Sequence, residues 1–193
     1  MKRFSRGAFL LGFLFAFPFL AASGYLYLRY GHPPVATADT PFPFEEQIVQ
    51  IPLDARIDRQ LSAAPFQPSA GDLIAGAHLY ADHCAMCHGT LTHDAAIAQG
   101  MFPPPPALWK KKDTHGTIGV SDNKPGAIYW KVANGIRLTG MPAFDHILNQ
   151  TEMWQVSLLL KRAGQPLPAP ITAILEQTSK ARAEETGNGK ERR

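Results

Sequence analysis

Apolar and polar positions change their pattern several times along the chain. From Ala8 to Leu28, 21 residues carry no charge. As a helix at about 1.5 Å per residue, this run spans roughly 31 Å, the thickness of a bilayer core. Pro18 lies near its middle, where membrane helices tolerate proline better than soluble ones do. Residues 31–70 then hold seven prolines, which predicts a partly extended spacer. One short helix is expected inside it, with Pro52 at its first position and Leu53, Ile57 and Leu61 along one face.

A compact region is expected to begin near Gly71. "GDLIAGAHLYADHCAMCHG" predicts a helix capped by Asp72, with Leu73, Ala77 and Tyr80 on one face. "NKPGAIYWKVANGI" predicts a second helix, opened by Pro125 and stopped at Asn134-Gly135. "NQTEMWQVSLLLKRAG" predicts a third, with Thr151 as cap, Trp154 and Leu158 inside, Lys161 and Arg162 in the last turn, and Gly164 as the stop. Residues 89–124 have no period, and four consecutive prolines from Pro103 to Pro106 exclude helix there. After Pro170 the composition favours helix, but only Ile171, Ile174 and Leu175 suggest an apolar face. Disorder is expected over "TGNGKERR". β-branched runs with period two are scarce, so the prediction is all-α. The expected domains are a membrane anchor or signal peptide at 1–30, a spacer at 31–70, a compact domain at 71–165 and a partly disordered extension at 166–193.

Charge adds an orientation. Lys2, Arg3, Arg6 and Arg29 are the only charged residues in the first thirty. Three positive charges before the apolar run and one after it place the N-terminus in the cytoplasm and the rest of the chain across the membrane. Tyr25, Tyr27 and Tyr30 stand where an interfacial aromatic belt would lie. The alternative is a signal peptide cleaved after Ala21-Ala22-Ser23. The apolar run continues past that site, which favours an uncleaved anchor. A buried core helix is disfavoured by the length and by the opening charges. No segment gathers Lys and Arg as a nucleic-acid surface would, so nucleic acid is not expected as a partner.

The chemistry centres on "YADHCAMCHGT", which contains the only two cysteines, Cys84 and Cys87, followed by His88. A structural zinc ion would need a second pair of ligands farther along, and there is no other cysteine. A thioredoxin-like dithiol would need a βαβ context, and here a helix and a proline loop flank the motif. C-x-x-C-H is the attachment signature of a c-type haem. Two thiols at this spacing can add to the two vinyl groups on one porphyrin edge, and the next residue's imidazole then lies beneath the iron. Cys84 and Cys87 are therefore expected to anchor one covalent haem c, with His88 as the proximal iron ligand. Export agrees with this, because such attachment takes place outside the cytoplasm in bacteria.

The sixth ligand decides what such an iron does. An open site suits ligand binding or peroxidase chemistry, whereas a thioether gives a closed, low-spin electron carrier. Met1 is terminal and Met86 lies between the cysteines. Met101 falls in the loop expected to wrap the proximal side, and Met153 lies on the third helix. Met141 follows the second helix, far enough beyond His88 to reach the other face, and is the expected distal ligand. His93, His115 and His146 are the alternatives, and are otherwise surface residues.

"CAMCHG", "GAIYWKVANGI", "TGMPAF" and "EMWQV", in that order, resemble a class I c-type cytochrome. The likeness is strongest to the small haem domains of cbb3-oxidase subunits. It covers residues 71–165, about half the chain, and is most specific at the haem motif. It implies a small all-α cytochrome c fold with crossed N- and C-terminal helices. Gly76 and Tyr80 stand where the family has a glycine and an aromatic residue. The glycine would allow close approach of the C-terminal helix through Trp154 or Leu158. One carbonyl among Pro103 to Pro106 would accept the His88 N–H. The resemblance says nothing about the spacer or the C-terminal extension.

Other features have two readings each. Trp109 and Trp130 either donate to haem propionates or are core. Arg137 either pairs with a propionate or is solvated. Lys110, Lys111 and Lys112 either steer an acidic partner or form a solvated loop. Together the expectation is a membrane-tethered, single-haem electron carrier on the periplasmic face of a bacterial inner membrane. Its partners would be redox proteins: a dehydrogenase, a quinol-oxidising complex or a terminal oxidase. No acid, base or nucleophile constellation marks it as an enzyme by itself. The alternative is a haem-based ligand sensor or peroxidase-like protein with a labile Met141.

Overall fold

The structure, a computed structural model, describes residues 6–111 and 116–191. Lys2, Arg3, Lys112 and His115 lie outside the described residues. Among the described residues the regular elements are helical, and one isolated β-bridge pairs Lys111 with Ile118. This is the all-α fold expected. The chain divides into two compact units, Met1–Pro43 and Phe44–Arg193.

The first unit contains helix α1, Arg6–Tyr30, with Pro18 inside it. Its segment Leu11–Tyr30 has a mean hydropathy of 1.7, and none of it is buried. Length and composition suit a membrane span, and a signal sequence would have the same character. Phe13 and Phe17 pack edge to face, 4.8 Å between centroids. Beyond α1, the Asp39 carboxylate accepts the N–H groups of Val35 and Ala36, and these bonds hold its pKa below the usual carboxylate value.

The second unit opens with α2, Glu45–Arg59. This corrects the expected short helix: Pro52 is an interior residue, not the first. A proline inside a helix removes one backbone hydrogen bond. Several features offset that loss. Glu45 and Glu46 stand at the positive end and Arg56 and Arg59 at the negative end. Ile57 is buried, and just past the helix Gln60 Oε1 accepts the Trp130 indole N–H at 2.9 Å. The spacer is thus partly helix, and that helix packs against the compact domain.

The haem motif is carried by α3, Ala70–His83, which runs into the single turn α4, Ala85–His88. Ser69 caps α3, not Asp72. The Ser69 hydroxyl accepts the Asp72 N–H, and the Asp72 carboxylate accepts the Ser69 N–H. Asp72 is the third-position member of a capping box. Next come α5, Pro125–Asn134, and α6, Gln150–Lys161. The ends of α5 are those expected. Asn149 caps α6, not Thr151, again through a capping box, here with Glu152.

Leu73, Ala77 and Tyr80 of α3 are buried against Val156, Leu159 and Leu160 of α6. The two helices come closest at Gly76. A Cβ placed there would stand 2.6 Å from the Gln155 carbonyl oxygen and 3.3 Å from Leu159 Cβ. The expected partners, Trp154 and Leu158, each stand one residue before these, so the contact is with the Gln155 backbone and Leu159 Cβ. Trp154 instead stacks on Tyr129 of α5, 4.2 Å between centroids and 11° from parallel.

The C-terminal extension forms α7, Ala169–Glu191. Ile171, Leu175 and Ser179, at intervals of four, are all buried, and α7 packs on α3. The helix continues through Glu191, so the disorder expected from Thr186 is not seen up to that residue. Once the buried turns have nucleated a helix, each further residue adds at low cost.

Gly76→Ala should destabilise the haem-bound protein by about 1–3 kcal/mol, because its methyl group meets backbone that cannot rotate away. Gly100→Ala, where a Cβ meets nothing within 4 Å, is the control. Denaturant unfolding measures both, and equal stabilities would disprove the backbone contact.

Candidate haem site

Cys84 ends α3, and its backbone N–H donates to the Tyr80 carbonyl. The Cys87 and His88 N–H groups both donate to the Cys84 carbonyl, at 3.1 and 2.9 Å. These bonds close the Cys-x-x-Cys-His turn. Both thiols are free. Burial first, and then the neighbouring Cys87, push the Cys84 thiol up to about 12, so it is neutral at ordinary pH. Gly89 follows at φ 76, a left-handed conformation suited to glycine. A Cβ there would stand 2.7 Å from the His93 carbonyl oxygen. The Tyr80 hydroxyl donates to the Gly89 carbonyl at 2.6 Å and so fixes the chain just past His88. Burial raises the Tyr80 pKa well above its ordinary value, which keeps that donor protonated.

His88 Nδ1 lies 2.9 Å from the Pro106 carbonyl oxygen. A carbonyl only accepts, so Nδ1 carries the proton and donates. Of the four candidate prolines, Pro106 is the one that makes this bond. Burial lowers the His88 pKa, and the Pro106 bond offsets part of that. A neutral imidazole with Nδ1 engaged leaves Nε2 as its lone-pair donor, the form in which histidine ligates metals.

Met141 is half-buried against the core. Its backbone is fixed on both sides. Its N–H donates to Thr139 Oγ1 at 3.1 Å, and its carbonyl accepts the Ile136 N–H at 3.2 Å. The Phe144 N–H donates to the Val132 carbonyl at the end of α5. The Phe144 ring meets His83 edge to face, 6.1 Å between centroids. The loop after α5 thus returns to the end of α3, beside Cys84.

Met101 is placed differently from the sequence expectation. Its Sδ stands 3.6 Å from where a Cβ of residue 140 would be, and its methyl group lies closer still. It is therefore a neighbour of the Met141 loop. The irregular segment 89–111 doubles back on itself, and no periodic pattern announces such a path. Met153 lies on α6, as expected, and is buried there, and Met86 is exposed. His93 and His146 are exposed: His93 Nδ1 pairs with the Thr92 hydroxyl, and His146 lies beside Asp145.

The two tryptophans separate. Trp130 donates to Gln60 and anchors the spacer. Trp109 is 8% exposed, and its ring meets Tyr80 edge to face at 5.3 Å. Its Nε1–H is buried without a hydrogen-bond partner, and its interaction with the Tyr80 phenol offsets part of the burial that raises the Tyr80 pKa. Buried donors are nearly always paired. An acidic group on a bound cofactor would supply the missing acceptor, so this residue, the thiol pair and the oriented His88 fit a haem. Arg137 is exposed. Lys110 pairs with Asp94 at 2.7 Å and Lys111 is exposed.

An all-α domain with this thiol-thiol-imidazole turn defines a c-type cytochrome. Residues 71–158 match the family model described as cytochrome C oxidase, cbb3-type, subunit III. That segment is a class I c-type cytochrome domain, a domain of electron transfer whose cofactor is covalently bound haem c. No curated protein and no solved structure matches the chain.

Trp109→Phe keeps the ring and removes the buried donor. In the haem-bound protein it should lower stability by about 1–3 kcal/mol, the cost of a lost bond to a charged acceptor. Denaturant unfolding reads the sign. A variant as stable as wild type, or more so, would mean that the Trp109 N–H has no acceptor.

Proposed function

We propose that the protein is a membrane-tethered carrier of single electrons with one haem, facing the periplasm of a bacterial inner membrane. In this reading Cys84 and Cys87 hold the haem, His88 is its proximal ligand and Met141 its distal ligand. The observation that carries it is the His88 ring, held by the Pro106 carbonyl directly after two free thiols. When bound, the haem supplies a one-electron ferrous–ferric couple. His88 presents a neutral nitrogen in a fixed orientation. Met141 offers a soft, neutral thioether that favours the ferrous state and raises the potential above that of a bis-histidine site. The electron passes to and from redox partners of the classes named above: a dehydrogenase, a quinol-oxidising complex or a terminal oxidase. Helix α1 would tether the domain, as its length and bare apolar surface suit.

Haem should stay with the wild-type chain through denaturing electrophoresis and stain by peroxidase activity, and Cys84→Ala/Cys87→Ala should abolish the stain. Met141→Ala should remove the red charge-transfer band of the ferric iron–methionine bond, turn the ferric iron high-spin and admit carbon monoxide rapidly. Met101→Leu should keep the band. The reverse result would make Met101 the ligand, and a wild-type protein lacking the band would favour the ligand sensor or peroxidase.

The tether has its own test. Wild-type protein should remain with membranes through a carbonate wash, whereas a chain starting at His32 behind a cleavable signal should be soluble. A mature N-terminus at Gly24 would make α1 a signal peptide.

A further inference from the structure

Helix α2 has two apolar faces. Leu53 and Ile57, with Leu61 just past the helix end, recur every four residues on the side turned to the haem domain. Ile57 is 4% exposed, and Leu61 Cδ1 stands 3.3 Å from where a Cβ of residue 126 in α5 would be. Phe44, Ile48 and Ile51 follow the i, i+4, i+7 spacing on the opposite side of the helix. These three are bare, at 73%, 62% and 70% exposed. A helix packed on one side and wet on the other normally shows polar residues to the water. Phe44 also sits at φ 62 and ψ 14, a left-handed conformation that a bulky side chain adopts only at a cost.

The neighbouring chain says what could cover this stripe. Residues 31–44 alone separate α2 from the end of the apolar helix at Tyr30. Fully extended, fourteen residues reach about 50 Å at most. A short tether raises the effective concentration of the surface it is fixed to, so that even weak apolar contacts engage it. Three large side chains in line suit the shallow insertion of a helix lying in a bilayer interface. The charges of α2 are mixed, with Glu45, Glu46, Asp54 and Asp58 against Arg56 and Arg59. It therefore has no basic patch that would call for anionic lipid.

We propose that the Phe44–Ile48–Ile51 face of α2 docks on the outer surface of the lipid bilayer, while its opposite face stays packed on the haem domain. The helix then holds the haem domain at the membrane surface and does not let it range on a free tether. The inference rests on α1 being an uncleaved anchor.

The test uses the full-length, ferrous, haem-loaded protein in phosphatidylcholine nanodiscs. A nitroxide is attached at Ile48→Cys, Ile51→Cys or, as an exposed control, Arg56→Cys. The haem spectrum of each variant checks that it folds. Nitroxides at 48 and 51 should be relaxed more by oxygen than by an aqueous nickel chelate, and the one at 56 the reverse. Nickel preference at all three positions would overturn the proposal. So would protection from both reagents at 48 and 51, which marks a protein partner or a second copy on the stripe. Failure of the anchor appears separately, as protein washed free of the discs or a chain beginning at Gly24.

Discussion

The backbone of α6 rests on Gly76 of α3, and the rest of the haem domain is arranged around that contact. A side chain at this position would force the helices apart, since the atom it meets is the Gln155 carbonyl oxygen. With the helices this close, Gln155 Nε2 reaches the Asp72 carboxylate at 3.0 Å. That bond and the Ser69 cap hold the Asp72 pKa below the usual carboxylate value. One turn on, Tyr80 is fully buried and bonds the Gly89 carbonyl. The start of the Cys84–His88 turn, and the direction in which it leaves α3, follow from where α6 holds the helix.

Two parts of the chain beyond the cytochrome segment, α2 and α7, are built into the same unit. Helix α7 covers α3 through Ile171, Leu175 and Ser179. Helix α2 packs on α5, and the spacer after it crosses α5 at Gly126, where the Ser62 carbonyl would collide with any Cβ. A small domain buries too little apolar surface to be robust. Both extensions enlarge the buried core and do so on helices that do not carry the haem motif. They add buried surface without touching the Cys84–His88 turn's own hydrogen bonds.

At the candidate site, neutral backbone carbonyls, N–H groups and hydroxyls do the positioning. His88 is oriented by the Pro106 carbonyl, Gly89 by the Tyr80 hydroxyl, and Met141 by Thr139 and Ile136. Neutral contacts would suit the proposed one-electron centre, since they need not rearrange when its charge changes. The ion pair near the loop, Lys110 with Asp94, is solvent-exposed, and such pairs contribute little to stability.

The sequence by itself determined the chemistry and the helices. Cys84, Cys87 and His88 lie within five residues of chain, and the turn that gathers them closes on its own hydrogen bonds, so their spacing alone is enough to propose their role. The same holds for helices bounded by local signals: Pro125 and Gly135 mark α5 without reference to anything distant. The capping boxes at Ser69 and Asn149 stand in the sequence as S-x-x-D and N-x-x-E, but the caps expected from it are Asp72 and Thr151, and the structure moves both. Tertiary structure decided whatever joins residues far apart. Nothing local distinguishes Pro106 from Pro103, because the choice depends on which carbonyl the folded loop brings to His88. Nothing local places Met101 against Gly140, or pairs Trp130 with Gln60 while leaving the Trp109 N–H without a protein acceptor. The α7 helix hid its face because one of the three buried positions, Ser179, is polar. Its burial follows from the fit of a small side chain against α3 with its hydroxyl turned back to the Leu175 carbonyl.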